Sequence, residues 1–151
     1  MNTTAEKAKE LARVRFAGLT DKAGVDYFTG HLCCVAGLVS TDEEKTVAFL
    51  HDILEDTDYP EEKLREEFGD RIADAVVLLT HREGMDEEGY LDYIRKLKAS
   101  GNELAIAVKI ADLTNNSDYT RLGVSGADEL QPKDRKRWDK YQKSLEILKK
   151  Q

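Results

Sequence analysis

Leu104-Ala105-Ile106-Ala107-Val108-Lys109-Ile110-Ala111-Asp112-Leu113 is the most apolar run of the chain, and it carries a lysine and an aspartate within it. It follows the cap-like Asn102, and its length favours a buried helix over a strand. Lys109 and Asp112 stand three residues apart and so lie roughly on one face. Burying that aspartate costs on the order of several kcal/mol unless it is paired or bound to a metal. A fold that accepts this helix as its core must also supply Asp112 with a cation.

Helical spacing of apolar residues recurs through most of the remaining sequence. A first helix is predicted from about Thr4 to Phe16, with Ala8, Leu11, Ala12 and Phe16 on one side, followed by a break at Gly18 and a loop from Leu19 to Asp26. A second runs from about Thr29 to Val39 and sets His31 among Leu32, Cys33, Val35 and Ala36. Thr41 to Glu44 has the spacing of a capping box and opens a helix through Val47, Phe49 and Leu50. Pro60 suits the first turn of a short helix carrying Leu64 and Phe68, and after Gly69 the run Ile72 to Leu79 continues the pattern. A loop over Thr80 to Gly84 precedes a helix from Asp86 to Ser100, ended by Gly101. Asp118 to Glu129 reads as a loop, and Pro132 to Lys150 as a polar amphipathic helix around Trp138, Tyr141, Leu145 and Leu148.

With 35 % charged residues, 40 % hydrophobic ones and only two prolines, these segments predict an all-α protein rather than a disordered or all-β one. Its 151 residues suit a single domain over 1–151 with an ordinary core. The net charge of −7 argues against a general nucleic-acid or membrane-surface binder, which needs a basic footprint. An anionic ligand would need local cations or a metal. Cys33 and Cys34 are adjacent, poorly placed to bridge each other, and are read as small core residues in a reducing, cytoplasmic setting. The polar N-terminus lacks the apolar core of a signal peptide, and no apolar run approaches membrane-spanning length.

Between Leu50 and Asp58 the chemistry is concentrated: His51, Asp52, Glu55, Asp56 and Asp58 crowd the expected C-terminal end of a helix. Acids oppose the macrodipole there, so the arrangement asks for a bound cation. His31, His51, Asp52 and Asp112, each near the apolar part of a helix, are the natural set to hold it, because helical bundles build metal sites from side chains converging across facing helices. A mixed nitrogen and oxygen set suits divalent Mn, Fe, Zn or Ni more than Ca. The residue types do not choose among them.

An ordered series of motifs resembles the HD-domain phosphohydrolases, and within them the hydrolase domain of RelA/SpoT homologues, including the stand-alone small alarmone hydrolases. The series is Asp21-Lys22-Ala23-Gly24 with Tyr27 leading to His31; Leu50-His51-Asp52-Ile53-Leu54-Glu55-Asp56-Thr57; Phe68-Gly69; and Lys109-Ile110-Ala111-Asp112 with Asn116. The resemblance spans roughly Ala8 to Arg121 and implies an all-α HD-domain multi-helix bundle with a metal site in its core. It implies Mn(II), or another divalent transition metal, on His31, His51, Asp52 and Asp112, and removal of the 3′-pyrophosphate of the alarmone (p)ppGpp. It assigns Glu55 and Asp56 to the attacking water, and Lys22 and Asn116 to the nucleotide.

The chain departs from that pattern at Asp21, where the basic loop usually carries arginine, at Leu32, and at Thr114 and Asn115. Two alternatives accompany the alarmone reading: the same chemistry on another nucleotide or phosphoester, and a non-catalytic module that binds metal and nucleotide. Elsewhere the plain readings are preferred. Trp138 is packing, Lys133 to Arg137 a solvated face, His81 and Arg82 part of an exposed loop, and Asp58 has no role.

Overall fold

In the computed structural model, residues 3–21, 24–81 and 84–150 are described. Helix α1 (Thr4–Arg15) starts at a reciprocal cap in which the Thr3 hydroxyl accepts the Glu6 N–H and the Glu6 carboxylate accepts the Thr3 N–H. The predicted capping box at Thr41 and Glu44 opens α3 (Asp42–Leu50) in the same way. Buried Ala8, Ala12 and Phe16 form the inner face of α1, and small side chains at two of those positions let it lie directly on α3.

The predicted helix over Thr29–Val39 is two pieces. Phe28–Leu32 is a π-helical turn, with the Cys33 N–H bonded to the Phe28 carbonyl, and it runs into α2 (Cys33–Gly37). Such wide turns redirect side chains, and this one carries His31. Adjacent residues on a helix point about 100° apart, so Cys33 and Cys34 cannot both face inward. Cys33 is half-buried and Cys34 exposed, which corrects the reading of both as core residues.

The helix through Leu50 also stops sooner than its periodicity suggests. It ends at Leu50, the backbone of Asp52 leaves helical geometry at φ −103° and ψ 3°, and a separate short helix α4 (Ile53–Asp56) follows. Glu55 and Asp56 therefore do not continue the helix of His51 and Asp52. They belong to the first turn of α4, so the expected clash with the dipole of α3 does not arise in that form.

Helices α5 (Glu61–Phe68) and α6 (Asp70–Leu79) meet at Gly69, whose φ of +85° few other residues tolerate. Asp86 caps α7 (Glu87–Ser100), which ends at left-handed Gly101, and Asn102 caps α8 (Glu103–Asn116). The expected loop after it contains two 3₁₀ turns, Tyr119–Leu122 and Ala127–Glu129, before α9 (Pro132–Lys149) packs on α7 and α8. Among the described residues the backbone is helical, with a single β-bridge between Thr20 and Asp26.

Helix α8 is the axis of the assembly, packed against α2, α3, α6, α7 and α9. Its Val108 and Leu113 are fully buried with Leu32, Val35, Val47, Leu50, Ile53, Val76 and Ile94, each large aliphatic worth about 1.5–3 kcal/mol of hydrophobic stabilisation. No helix among the described residues is long and apolar enough to cross a membrane.

Candidate active site

Asp112 lies buried on α8, 6 % exposed, and its two oxygens have different surroundings. Lys109, one turn earlier and equally buried, donates from Nζ to Asp112 Oδ2 at 2.9 Å. The ammonium also sits 5.4 Å and 5.5 Å from the ring centres of Tyr90 and Tyr93, whose faces favour a cation. Burial alone would push the Asp112 carboxyl up. Lys109, and then the facing imidazoles of His31 and His51, outweigh it and hold the group well below the usual range.

The free side of Asp112 faces two imidazoles. Its Oδ1 is 2.9 Å from His31 Nε2, carried by the π turn, and 3.4 Å from His51 Nε2, at the end of α3. Asp52 Oδ2 lies 3.1 Å from His51 Nε2 and 3.8 Å from His31 Nε2, and accepts a hydrogen bond from the Tyr27 hydroxyl. The structure thus brings together the four side chains grouped from the sequence as metal ligands.

The far sides of the imidazoles determine what the near sides offer. His51 Nδ1 is 2.6 Å from the Ala48 carbonyl, which can only accept, so Nδ1 carries a proton. His31 Nδ1 is 2.8 Å from Asn115 Oδ1. Both rings consequently present Nε2 to the carboxylates, and His51 Nε2, though buried, makes no hydrogen bond. An orphaned ring nitrogen aimed at two carboxylates, with the opposite nitrogen bonded to a carbonyl, fits a divalent cation well. Where none is bound, burial opposes charge on His51, but Asp52 and Asp112 together raise its pKa well above the ordinary value.

Glu55 stands beside this cluster. Asp52, Glu55 and Asp56 each offer an oxygen within 4.8 Å of the others. Burial pushes the Glu55 carboxyl up to about 7; the charges on Asp52 and Asp56 add to this, and the His81 N–H, donating to Glu55 Oε1 at 2.9 Å, opposes it. Asp56 is exposed at the rim, and exposed Asn116 donates to Asp112 Oδ1 at 3.3 Å. Lys22 and Arg82 lie outside the described residues. Asp58 is exposed, 3.5 Å from Arg15, and is not part of the cleft.

The cluster opens into a cleft of about 760 Å³ that reaches beyond the predicted residues. The 3₁₀ turn and α9 contribute Tyr119, Arg121, Arg137, Trp138, Lys140 and Tyr141 to its lining. This corrects two readings, since Arg137 is half-buried in the cleft rather than on a solvated face, and Trp138 lines it besides packing. Trp138 Nε1 donates to the Ser117 carbonyl at 3.1 Å, and its ring lies 6.4 Å from that of Tyr119. The sequence carried a signal for this, because Arg137, Lys140 and Tyr141 recur at one-turn spacing and bring cations and an aromatic to one side of α9. His81 is also half-buried in the cleft, with its ring against Tyr90 and Tyr93, rather than in an exposed loop.

Asp21, which stands where the resemblance has arginine, has both oxygens engaged. Oδ1 accepts the Val25 N–H at 3.0 Å and Oδ2 pairs with the Arg121 guanidinium. The carboxylate at the mouth is thereby neutralised by an arginine from another segment.

No family model matches the sequence. Over 116 residues the chain is 32 % identical to guanosine-3′,5′-bis(diphosphate) 3′-pyrophosphohydrolase of Haemophilus influenzae, a match covering 70 % of this chain and 17 % of that protein. The chain therefore spans less than a fifth of the length of the curated relative it matches. Its structure is similar to that of a metazoan ortholog of SpoT that hydrolyzes ppGpp and plays a role in starvation responses. The TM-score is 0.77 at 16 % identity, over 99 % of this chain and 87 % of that one. The fold is thus that of the SpoT ortholog, all-α, and here it holds a buried His–Asp cluster at a cleft. In sequence the chain is similar to part of the Haemophilus pyrophosphohydrolase, and in fold to the SpoT ortholog.

Proposed function

We propose that the protein is a metal-dependent pyrophosphohydrolase that removes the 3′-pyrophosphate of (p)ppGpp, giving GDP or GTP and pyrophosphate, with Mn(II) as its metal. The observation that carries this reading is the convergence of His31, His51, Asp52 and Asp112 beside Glu55, in a cleft also lined by Arg121, Arg137 and Lys140. The likeness to a ppGpp pyrophosphohydrolase and to a SpoT ortholog supports the substrate class. The proposed setting is the cytoplasm, in keeping with free Cys33 and Cys34.

In this reading the two Nε2 atoms, Asp52 and Asp112 Oδ1 would hold the ion, while Lys109 keeps Asp112 ionised. When bound, a divalent ion supplies Lewis acidity toward phosphoryl oxygen and water. Glu55, with its carboxyl near 7, is poised at neutral pH to take a proton from the attacking water. Asp56 orients that water and keeps the pKa of Glu55 high through its own charge. Water adds to the phosphorus on the ribose 3′ oxygen and the P–O3′ bond breaks. Pyrophosphate leaves with the water oxygen, and a proton ends on the 3′-hydroxyl. Asn116 meets the nucleotide, Lys22, Arg137 and Lys140 meet phosphates, and Tyr119 and Trp138 offer aromatic surface to a base.

A second reading, the same chemistry on another nucleotide, is favoured by the loss at Asp21 of the arginine that the resemblance has there. Purified protein incubated with Mn(II) and ppGpp, with GDP and pyrophosphate followed by ion exchange, is expected to release both in equal amounts. Turnover of another nucleotide but not ppGpp would refute the substrate, and binding without any turnover would refute the enzyme.

A further inference from the structure

His31 is held from behind by side chains that reach the mouth of the cleft. Its Nδ1 is 2.8 Å from Asn115 Oδ1, and Arg121 Nη1 approaches the same oxygen at 3.4 Å. Arg121 Nη2 is bonded to Asp21 Oδ2, and Asp21 Oδ1 ties back to the Val25 N–H. Four segments meet here: the loop at Asp21, the π turn, the end of α8 and the 3₁₀ turn after it. The Asp21 side chain is 9 % exposed and that of Arg121 28 %, so the pair is shielded more than an ordinary surface ion pair.

The chemistry of the shared oxygen gives this chain a direction. An asparagine amide has an acceptor end and a donor end of nearly equal shape, and only the acceptor end lets the His31 Nδ1–H donate. A guanidinium has donors alone. With Arg121 at the same atom, a flipped amide would set its NH₂ against two other donors, so the oxygen-inward orientation is the one that Arg121 favours. That orientation keeps the proton on Nδ1 and leaves Nε2 as the nitrogen that faces Asp112 Oδ1 and the rest of the cluster.

We propose that Arg121 is a positioning residue: anchored by Asp21, it fixes the Asn115 amide and through it the His31 tautomer, so that the loop at the mouth and the metal centre are ordered together. This rests on His31 being a metal ligand, as proposed above. It also gives Asp21 a purpose, since the acid anchors the arginine that sets a ligand behind the site.

The test measures Mn(II) binding without substrate, by competition of metal-stripped protein against a fluorescent chelator, beside the melting temperature of the metal-free form. Arg121→Gln and Asn115→Leu are each expected to weaken Mn(II) binding by on the order of 10–100-fold, the usual effect of removing a support behind a metal-binding histidine. The double variant is expected to bind no more weakly than Asn115→Leu alone, because both act through one amide. Asp21→Asn should lower affinity in the same direction but less. Long-range ¹H–¹⁵N spectra of the metal-free protein should show His31 protonated at Nδ1 in the wild type, and a mixture of tautomers in Arg121→Gln. A merely structural role would lower the melting temperature and move neither reading. Wild-type affinity and tautomer in Arg121→Gln, or additive losses in the double variant, would overturn the relay alone. A wild-type protein that binds no Mn(II) would overturn the metal site and the relay with it.

Discussion

Replacing Lys109 by methionine should destabilise the metal-free protein far more than the metal-loaded one. At the observed 2.9 Å, Lys109 and Asp112 attract by about 6 kcal/mol at an effective dielectric of about 20. Removing each ion from water costs on the order of several kcal/mol, so the intact pair comes close to break-even. The variant is different, because it leaves Asp112 Oδ2 buried with the Lys109 charge gone. Breaking such a pair from one side costs about 3–5 kcal/mol. At roughly 2–4 °C per kcal/mol for a chain of this size, the variant should melt on the order of 10 °C lower in chelator.

The wild-type pair works in the usual direction for a depressed acid. With the Asp112 pKa held well below its unfolded value, the associated stability is present above about pH 4 and lost as pH falls further. In Lys109→Met that contribution is missing at neutral pH. Mn(II) should recover much of the loss by giving Asp112 a new counter-charge, and Lys109→Met/Asp112→Leu should recover much of it in chelator by removing both charges. Scanning calorimetry in chelator and in Mn(II) measures all of these. A single variant that melts with the wild type in chelator, or a double variant that melts lower than the single, would refute the reasoning.

Asp52→Ala should abolish Mn(II) binding by elemental analysis of the purified protein, whereas Glu55→Gln should keep the metal and lose on the order of 10²–10⁴ in kcat; full activity in Glu55→Gln would remove Glu55 from its assigned role. Because Glu55 must be ionised to accept a proton, kcat/KM should rise as pH passes through about 7, and the residual rate of Glu55→Gln should lack that limb. The same raised pKa makes the folded state bind a proton more tightly than the unfolded one. The Glu55 contribution to metal-free stability should therefore be full below about pH 4.5 and decline up to about 7, as urea titrations across that range would show. Arg137→Ala should raise KM for ppGpp several-fold with little change in Mn(II) affinity, as steady-state kinetics and chelator competition would show; an unchanged KM would take Arg137 out of substrate binding.

Much of the architecture is local and was legible residue by residue. The Thr41–Glu44 box, the cap at Asn102 and the left-handed stop at Gly101 work within one helical turn, so their positions follow from the chain alone. Lys109 and Asp112 are likewise one turn apart, and their burial required the pairing that is observed. The ligand candidates could be grouped by residue type, although nothing local states that His31, His51, Asp52 and Asp112 meet.

Tertiary structure decided what periodicity cannot see. The break at His51 and Asp52 occupies two residues inside an apolar pattern that continues across it, and the π turn under His31 shifts the helical phase without changing its composition. The Asp21–Arg121 pair joins positions one hundred residues apart, and the cleft face of α9 becomes a site wall only because α7 and α8 place it there. Caps and amphipathic faces are set by neighbours along the chain, so the sequence by itself determined the helices and the stock of charged groups. Whether a carboxylate is a liability or an anchor depends on which cation packing brings to it, and for Asp21 and Asp112 only the folded core supplied Arg121 and Lys109.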